Sequence, residues 1–188
     1  MSIKSRENHK VNISGQNDQE ERKKQAGLKE IRSFVVRFVL LLVLGFLVFG
    51  CVFGIRPMKN DDMTPRMSAG DLVLFFRLDN KIHNNEVIVF EKEGVEYISR
   101  VVAQGGDSVE ITDEATLKVN GSIVMESEIY YTTPQYTSDV TYPLELKDDE
   151  YFVLCDHREG GKDSRYFGPV RKEEIKGKVI TVIRRSGL

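Results

Sequence analysis

From Phe38 to Ile55 the chain reads FVLLLVLGFLVFGCVFGI, eighteen residues without a charged side chain. As a helix rising ~1.5 Å per residue, this run is about 27 Å long, close to the hydrocarbon thickness of a bilayer. Counting back to Phe34 adds a turn interrupted only by Arg37, whose guanidinium can snorkel to the headgroups. A buried core helix would usually keep a polar stripe, and this run has none. A cleaved secretory signal has a shorter apolar stretch and a small-residue exit, whereas this one leaves through Ile55-Arg56-Pro57. Phe49 is too bulky for a lipoprotein processing site ending at Cys51. The reading is a single-span anchor over 34–55.

Charge divides at the same place. Of 27 basic and 29 acidic side chains, nine and five fall within residues 1–37, leaving 18 and 24 for the rest. The positive-inside rule then assigns 1–33 to a cytoplasmic tail and 56–188 to the extracytoplasmic side of the cell membrane. The tail is polar, free of aromatics through residue 30, and reads as disordered or loosely helical. A net charge of −2 gives no support to nucleic-acid binding, which usually shows a basic stripe.

The outer part reads as β. Residues 71–77, 86–91, 96–102 and 179–183 are short runs rich in β-branched and aromatic residues. Turn signals separate them, at Asp79-Asn80, Lys92-Glu93-Gly94 and Gly105-Gly106-Asp107. Asn120-Gly121 between two alternating runs is a strong hairpin signal. The Tyr-rich stretch 126–149 lacks periodicity and reads as an irregular excursion, part of a small β insertion at about 111–149. The expected fold is mainly β: an antiparallel, barrel-like or sandwich core behind one transmembrane helix.

Metal and cofactor chemistry find no support. There is no C-x-x-C or H-E-x-x-H, and only three His are present. Cys155-Asp156-His157 places a thiol and an imidazole two residues apart, where extended side chains run parallel and do not converge on one proton. That stretch reads as an ordinary strand end. A disulfide between Cys51 and Cys155 would draw the outer domain into the membrane.

Several boxes, in order, carry a specific resemblance. Asn60-Asp61-Asp62-Met63-Thr64-Pro65 is followed by Gly70-Asp71-Leu72-Val73, then by Tyr97-Ile98-Ser99-Arg100-Val101-Val102 and Gly106-Asp107-Ser108-Val109. Val119-Asn120-Gly121 comes next, and the last box runs from Asp156-His157-Arg158 through Asp163-Ser164-Arg165-Tyr166-Phe167-Gly168 to Ile175-Lys176-Gly177-Lys178. The set resembles type I signal peptidases of the Gram-positive kind over essentially all of 56–180. The resemblance implies a β-rich catalytic core on the outer membrane surface and a Ser/Lys dyad, in which a neutral lysine activates a serine hydroxyl.

The dyad positions are occupied here by Asp62 and Ser99, and the position of a third serine that orients the lysine is Gly161. The family's Gly-Asp-Asn reads Cys155-Asp156-His157. Gly70, Asp71, Arg100, Gly106, Asp107, Asp163, Arg165 and Gly168 match the family's frame. A serine hydroxyl cannot replace an amine as base at neutral pH, and attack of Asp62 on an amide would give a mixed anhydride that collapses back. The expectation is a pseudo-peptidase without catalytic residues, with Asp62, Met63, Pro65, Ser99 and Arg100 as remnants of a peptide groove.

Two altered chemistries stand beside it: an aspartic arrangement of Asp61 and Asp62, and a displaced nucleophile at Ser68 or Ser99. The resemblance extends to the dyad-less signal-peptidase-like proteins of streptococcal pilus loci. It implies pilin subunits, and a pilus sortase, as partners in pilus assembly at the membrane. A signal-peptide-binding regulator of export is the remaining reading.

Overall fold

The computed structural model describes residues 27–79, 81–126 and 129–184. Most of the expected tail, residues 1–26, lies outside them, as does Asn80 of the Asp79-Asn80 turn signal. The chain divides into two compact units at Val48/Phe49.

Helix α1 covers Gly27–Val52 and is long and apolar enough to cross a membrane. Its 26 residues would extend about 39 Å, against a hydrocarbon core of about 30 Å. The uncharged run seen in the sequence is divided between two elements. Its last residues leave the helix and form strand β1, Phe53–Pro57, which pairs antiparallel with β2, Leu72–Phe76. Gly54 enables this: a Cβ there would run into the Phe75 ring. Hydropathy alone cannot mark the change, because Phe53-Gly54-Ile55 of β1 continue the uncharged run of α1.

The remaining strands are β3 (Val87–Lys92), β4 (Val95–Gln104), β5 (Ser108–Ile111), β6 (Leu117–Val119), β7 (Ser122–Ile123), β8 (Leu144–Glu145), β9 (Glu150–Leu154), β10 (Val170–Arg171) and β11 (Ile175–Ile183). Seven form one antiparallel sheet in the order β1-β2-β11-β3-β4-β9-β10, and four form a small sheet, β7-β6-β5-β8. The four runs picked out by β-propensity correspond to β2, β3, β4 and β11. Asn120 and Gly121 both take positive φ, 53° and 75°, as the tight β6–β7 turn requires. Strand β9 is buried from Tyr151 to Leu154 and therefore shows no alternation in the sequence.

Three apolar clusters hold the domain together. Val102, Ala103, Phe152 and Leu154 of the large sheet meet Val109, Ile111 and Leu117 of the small one. Ile88, Phe90, Val101 and Val153 form a second cluster. Met58, Met63, Met67, Val73 and Val87 form a third, with Ile98, Val179 and Val182 packed against it.

Candidate functional site

Asp62 lies in the loop between β1 and β2, and local hydrogen bonds fix the loop's shape. The Gly70 N–H donates to Met58 O and the Met58 N–H to Asp71 O, so the two ends close on each other. Gly70 sits at φ 93°, a left-handed conformation that glycine adopts without strain. The Asp71 carboxylate accepts the Ser68 N–H. Met63 is fully buried among Met58 and Met67, so the loop is anchored through its apolar side. Pro65, after a cis peptide bond, is exposed.

The two adjacent aspartates face different partners. Asp61 Oδ1 accepts the Ala69 N–H at 2.8 Å, while Asp62 Oδ2 accepts from Asn60 Nδ2 at 2.6 Å. Their carboxyls have separate donors and do not form the shared-proton pair that an aspartic hydrolase needs.

Ser99 and Arg100 follow one another on β4. The Ser99 hydroxyl is buried, with the Cys155 sulfur 3.8 Å away. Arg100 is directed into a fork with Asp156, Nε to Oδ1 at 2.7 Å and Nη2 to Oδ2 at 2.5 Å, and also donates to Asn85 O. Both members of that pair are buried. Arg100 therefore acts as a structural strut between β4 and the segment after β9.

The segment after β9 brings the rest of the site together. The Cys155 N–H donates to Asp163 Oδ2, and the His157 N–H donates to Asp62 O, which ties this segment to the β1–β2 loop. Asp163 caps the single-turn helix α2, Ser164–Phe167, and holds Arg165 in a two-pronged ion pair, both residues being fully buried. Gly168 ends that turn at φ 76°. Gly161 lies against both Cys155 and Asp62: a Cβ there would overlap the Cys155 sulfur and stand 3.2 Å from Asp62 Cγ. Asp62, Ser99 and Gly161, chosen from the sequence one at a time, thus meet around the side chain of Cys155.

The Tyr-rich excursion packs on this segment. Fully buried Arg158 donates to Cys155 O, Thr133 Oγ1 and Glu126 Oε1. The Tyr136 hydroxyl lies 3.0 Å from Arg158 O and 3.2 Å from Gly161 O, and the Arg165 guanidinium stacks 4.1 Å from the Tyr136 ring centroid. Gly106 and Asp107 belong to the β4–β5 turn, where Asp107 accepts from Gln104 N–H and Asn120 Nδ2.

Burial governs the site's electrostatics. Loss of water raises the Asp62 pKa; Asn60 opposes this, Asp163 and Asp61 add to it, and His157 lowers it. Burial also pushes the Cys155 thiol up, with Asp163 and Asp62 reinforcing the shift. A buried thiol with a raised pKa is a poor nucleophile. The sequence reading takes Cys155 as an ordinary strand end and gives Arg158 no role of its own. The signal for Cys155 was present in two departures from the family pattern, a larger residue at 155 and a smaller one at 161. Each is unremarkable alone, and they become one fact only when the chain brings them into contact.

The family model for signal peptidase, peptidase S26, matches residues 31–183. The chain belongs to the signal peptidase family. It is 29% identical over 169 residues to signal peptidase IB of Staphylococcus aureus strain COL, covering 80% of this chain and 88% of that protein. It is 22% identical over 159 residues to a protein named inactive signal peptidase IA of S. aureus strain Mu50, covering 81% and 91%. A crystal structure of a signal peptidase I from Enterococcus faecalis V583 matches 54% of this chain and 97% of its own, at 29% identity and a TM-score of 0.46. Signal peptidase relatives thus include one named as inactive.

Proposed function

We propose that this protein is a non-catalytic signal peptidase homologue that holds an extended segment of an exported subunit at the outer membrane face. In this reading it assists the sortase-mediated polymerisation of pilins. The observation that carries the loss of catalysis is the cluster of Asp62, Ser99 and Cys155. The groups acting on Asp62 are Asn60, Asp163, His157 and Asp61, and no lysine is among them. Ser99 cannot act as an amine base, and its hydroxyl is buried against a thiol. In this reading the amine base of the family's dyad is missing from the site. The separate donors of Asp61 and Asp62 also weigh against an aspartic mechanism. The tightly bonded frame around them supports retention of a binding surface. Pilins and sortase as partners rest on resemblance to the streptococcal pilus-locus proteins.

Deletion and complementation tests the proposal. The deletion strain should lose the high-mass pilus ladder while preprotein processing stays unchanged, and wild type should restore the ladder. Cleavage of a signal-peptide substrate by the purified full chain, abolished by Asp62→Ala, would refute the non-catalytic assignment. Mislocalisation of many unrelated preproteins in the deletion strain would favour a regulator of export.

A further inference from the structure

Strands β1 and β4 are four places apart in the large sheet, which in a flat sheet would separate them by about 19 Å at ~4.8 Å per pair. Yet Arg56 on β1 donates through Nε to both carboxylate oxygens of Glu96 on β4, at 3.0 and 3.2 Å. The sheet is therefore curled until its first strand faces its fifth. Each of the facing segments has one open side. Among the described residues β1 pairs only with β2, and β4 pairs with β3 over Val95–Arg100 and with β9 only from Arg100 onward. Beyond Leu154 the chain leaves β4 and turns toward Asp62, so the edge from Val95 to Ser99 has no strand partner on that side among the described residues. Below, Met58, Met63 and Met67 pack near Ile98. Unbranched, polarizable methionines adapt to varied neighbours.

Two open strand edges facing each other over a methionine-rich floor can accept one extended segment through backbone hydrogen bonds on both sides. Among the described residues, Arg56–Glu96 is the one side-chain ion pair between β1 and β4, and it crosses that gap. We propose that this pair is a latch, which an incoming extended segment must break before it can add as a strand. The inference rests on the peptide-holding reading above. The pair suits the role because it is partly exposed, with 45% and 24% of the two side chains accessible. Exposed pairs contribute little to stability and weaken with salt, so the latch slows or weakens entry without forbidding it.

The test uses the full chain in detergent and a fluorescein-labelled extended peptide spanning the signal-peptide cleavage region of the pilin precursor, read by anisotropy. Arg56→Ala and Glu96→Gln should each bind it about two- to five-fold more tightly than wild type, the range an exposed ion pair can supply. The charge-swapped double variant Arg56→Glu/Glu96→Arg should return to wild-type affinity. Added salt should tighten binding by wild type and leave the single variants unchanged. Equal affinity in all versions, with no salt effect, would overturn the latch while leaving the groove intact. Weaker binding by the single variants would make Arg56 and Glu96 peptide contacts and also overturn it. Absence of binding by every version would overturn the groove reading itself, and the latch with it. Unchanged thermal melting of the variants ensures that a binding change is not a folding defect.

Discussion

Gly161 and Cys155 share one volume: a Cβ on residue 161 would overlap the Cys155 sulfur and lie 2.8 Å from its Cβ. The sulfur in turn lies 3.8 Å from the Ser99 hydroxyl, and position 161 also borders Asp62. The three positions that the resemblance matches to the family's acid/base groups therefore lie around one buried thiol.

Gly161→Ser should consequently destabilise the protein by about 1–3 kcal/mol, the usual cost of overfilling a packed site. Cys155→Gly alone should also destabilise, through the void it leaves. Together the two should cost less than their sum, because each relieves the other's fault. Denaturant melts of the four versions give the coupling directly. Additive effects would mean that the two side chains do not compete for space.

Asp62 makes stability depend on pH in a calculable direction. Its folded pKa lies above the ordinary 3.8, mainly through loss of water, so the ionised carboxylate is a cost to the native state. The cost is absent below 3.8, grows as pH rises through the folded value, and is complete above it. Asp62→Asn removes it while keeping an oxygen to accept the Asn60 amide. The variant should therefore be more stable than wild type at neutral pH. Its advantage should shrink as pH falls toward the ordinary aspartate range. Paired thermal melts across that range check the slope, and an advantage that grew on acidification would contradict the raised pKa.

The frame of this site was legible through the family resemblance, and the structure gives its residues local tasks. Gly70 and Gly168 take positive φ at turns, Asp163 caps α2, and Asn120-Gly121 closes a hairpin. β-Branched and aromatic content likewise revealed β2, where Val73 and Phe75 are buried. What remained hidden depends on contacts between distant positions. The junction of α1 with β1 requires knowing that Gly54 meets Phe75, and the Cys155–Gly161 exchange requires the path of the chain after β9. The Tyr-rich stretch had no periodicity because side-chain bonds to Arg158, Gly161 and Arg165 fix it, with only the short strand β8 in a ladder.

The thiol at the centre of the site should be chemically quiet. Cys155 is 1% exposed, and burial, with Asp163 and Asp62 beside it, holds its pKa well above that of a free cysteine. Reaction with iodoacetamide requires the thiolate. In a Cys51→Ser background, labelling of the native full chain should therefore proceed only as fast as the domain opens, and should become rapid in denaturant. Rapid labelling under native conditions would place a reactive thiolate in the site and reopen a cysteine-based chemistry.

The Arg100–Asp156 pair supplies the final prediction, because burial makes its two halves unequal to remove singly. Both side chains are almost inaccessible, and the guanidinium fork meets both carboxylate oxygens. Asp156→Asn leaves a buried cation without its counter-charge and should cost about 3–5 kcal/mol. Arg100→Lys keeps the charge but loses the two-pronged geometry and the bond to Asn85 O, so it too should destabilise substantially. Replacing both residues with apolar ones of similar volume should cost less than Asp156→Asn alone, since no charge is then stranded. Chemical denaturation of the three variants decides this. If the double replacement were the most damaging, the ion pair would be contributing stability in its own right rather than each charge answering the burial of the other.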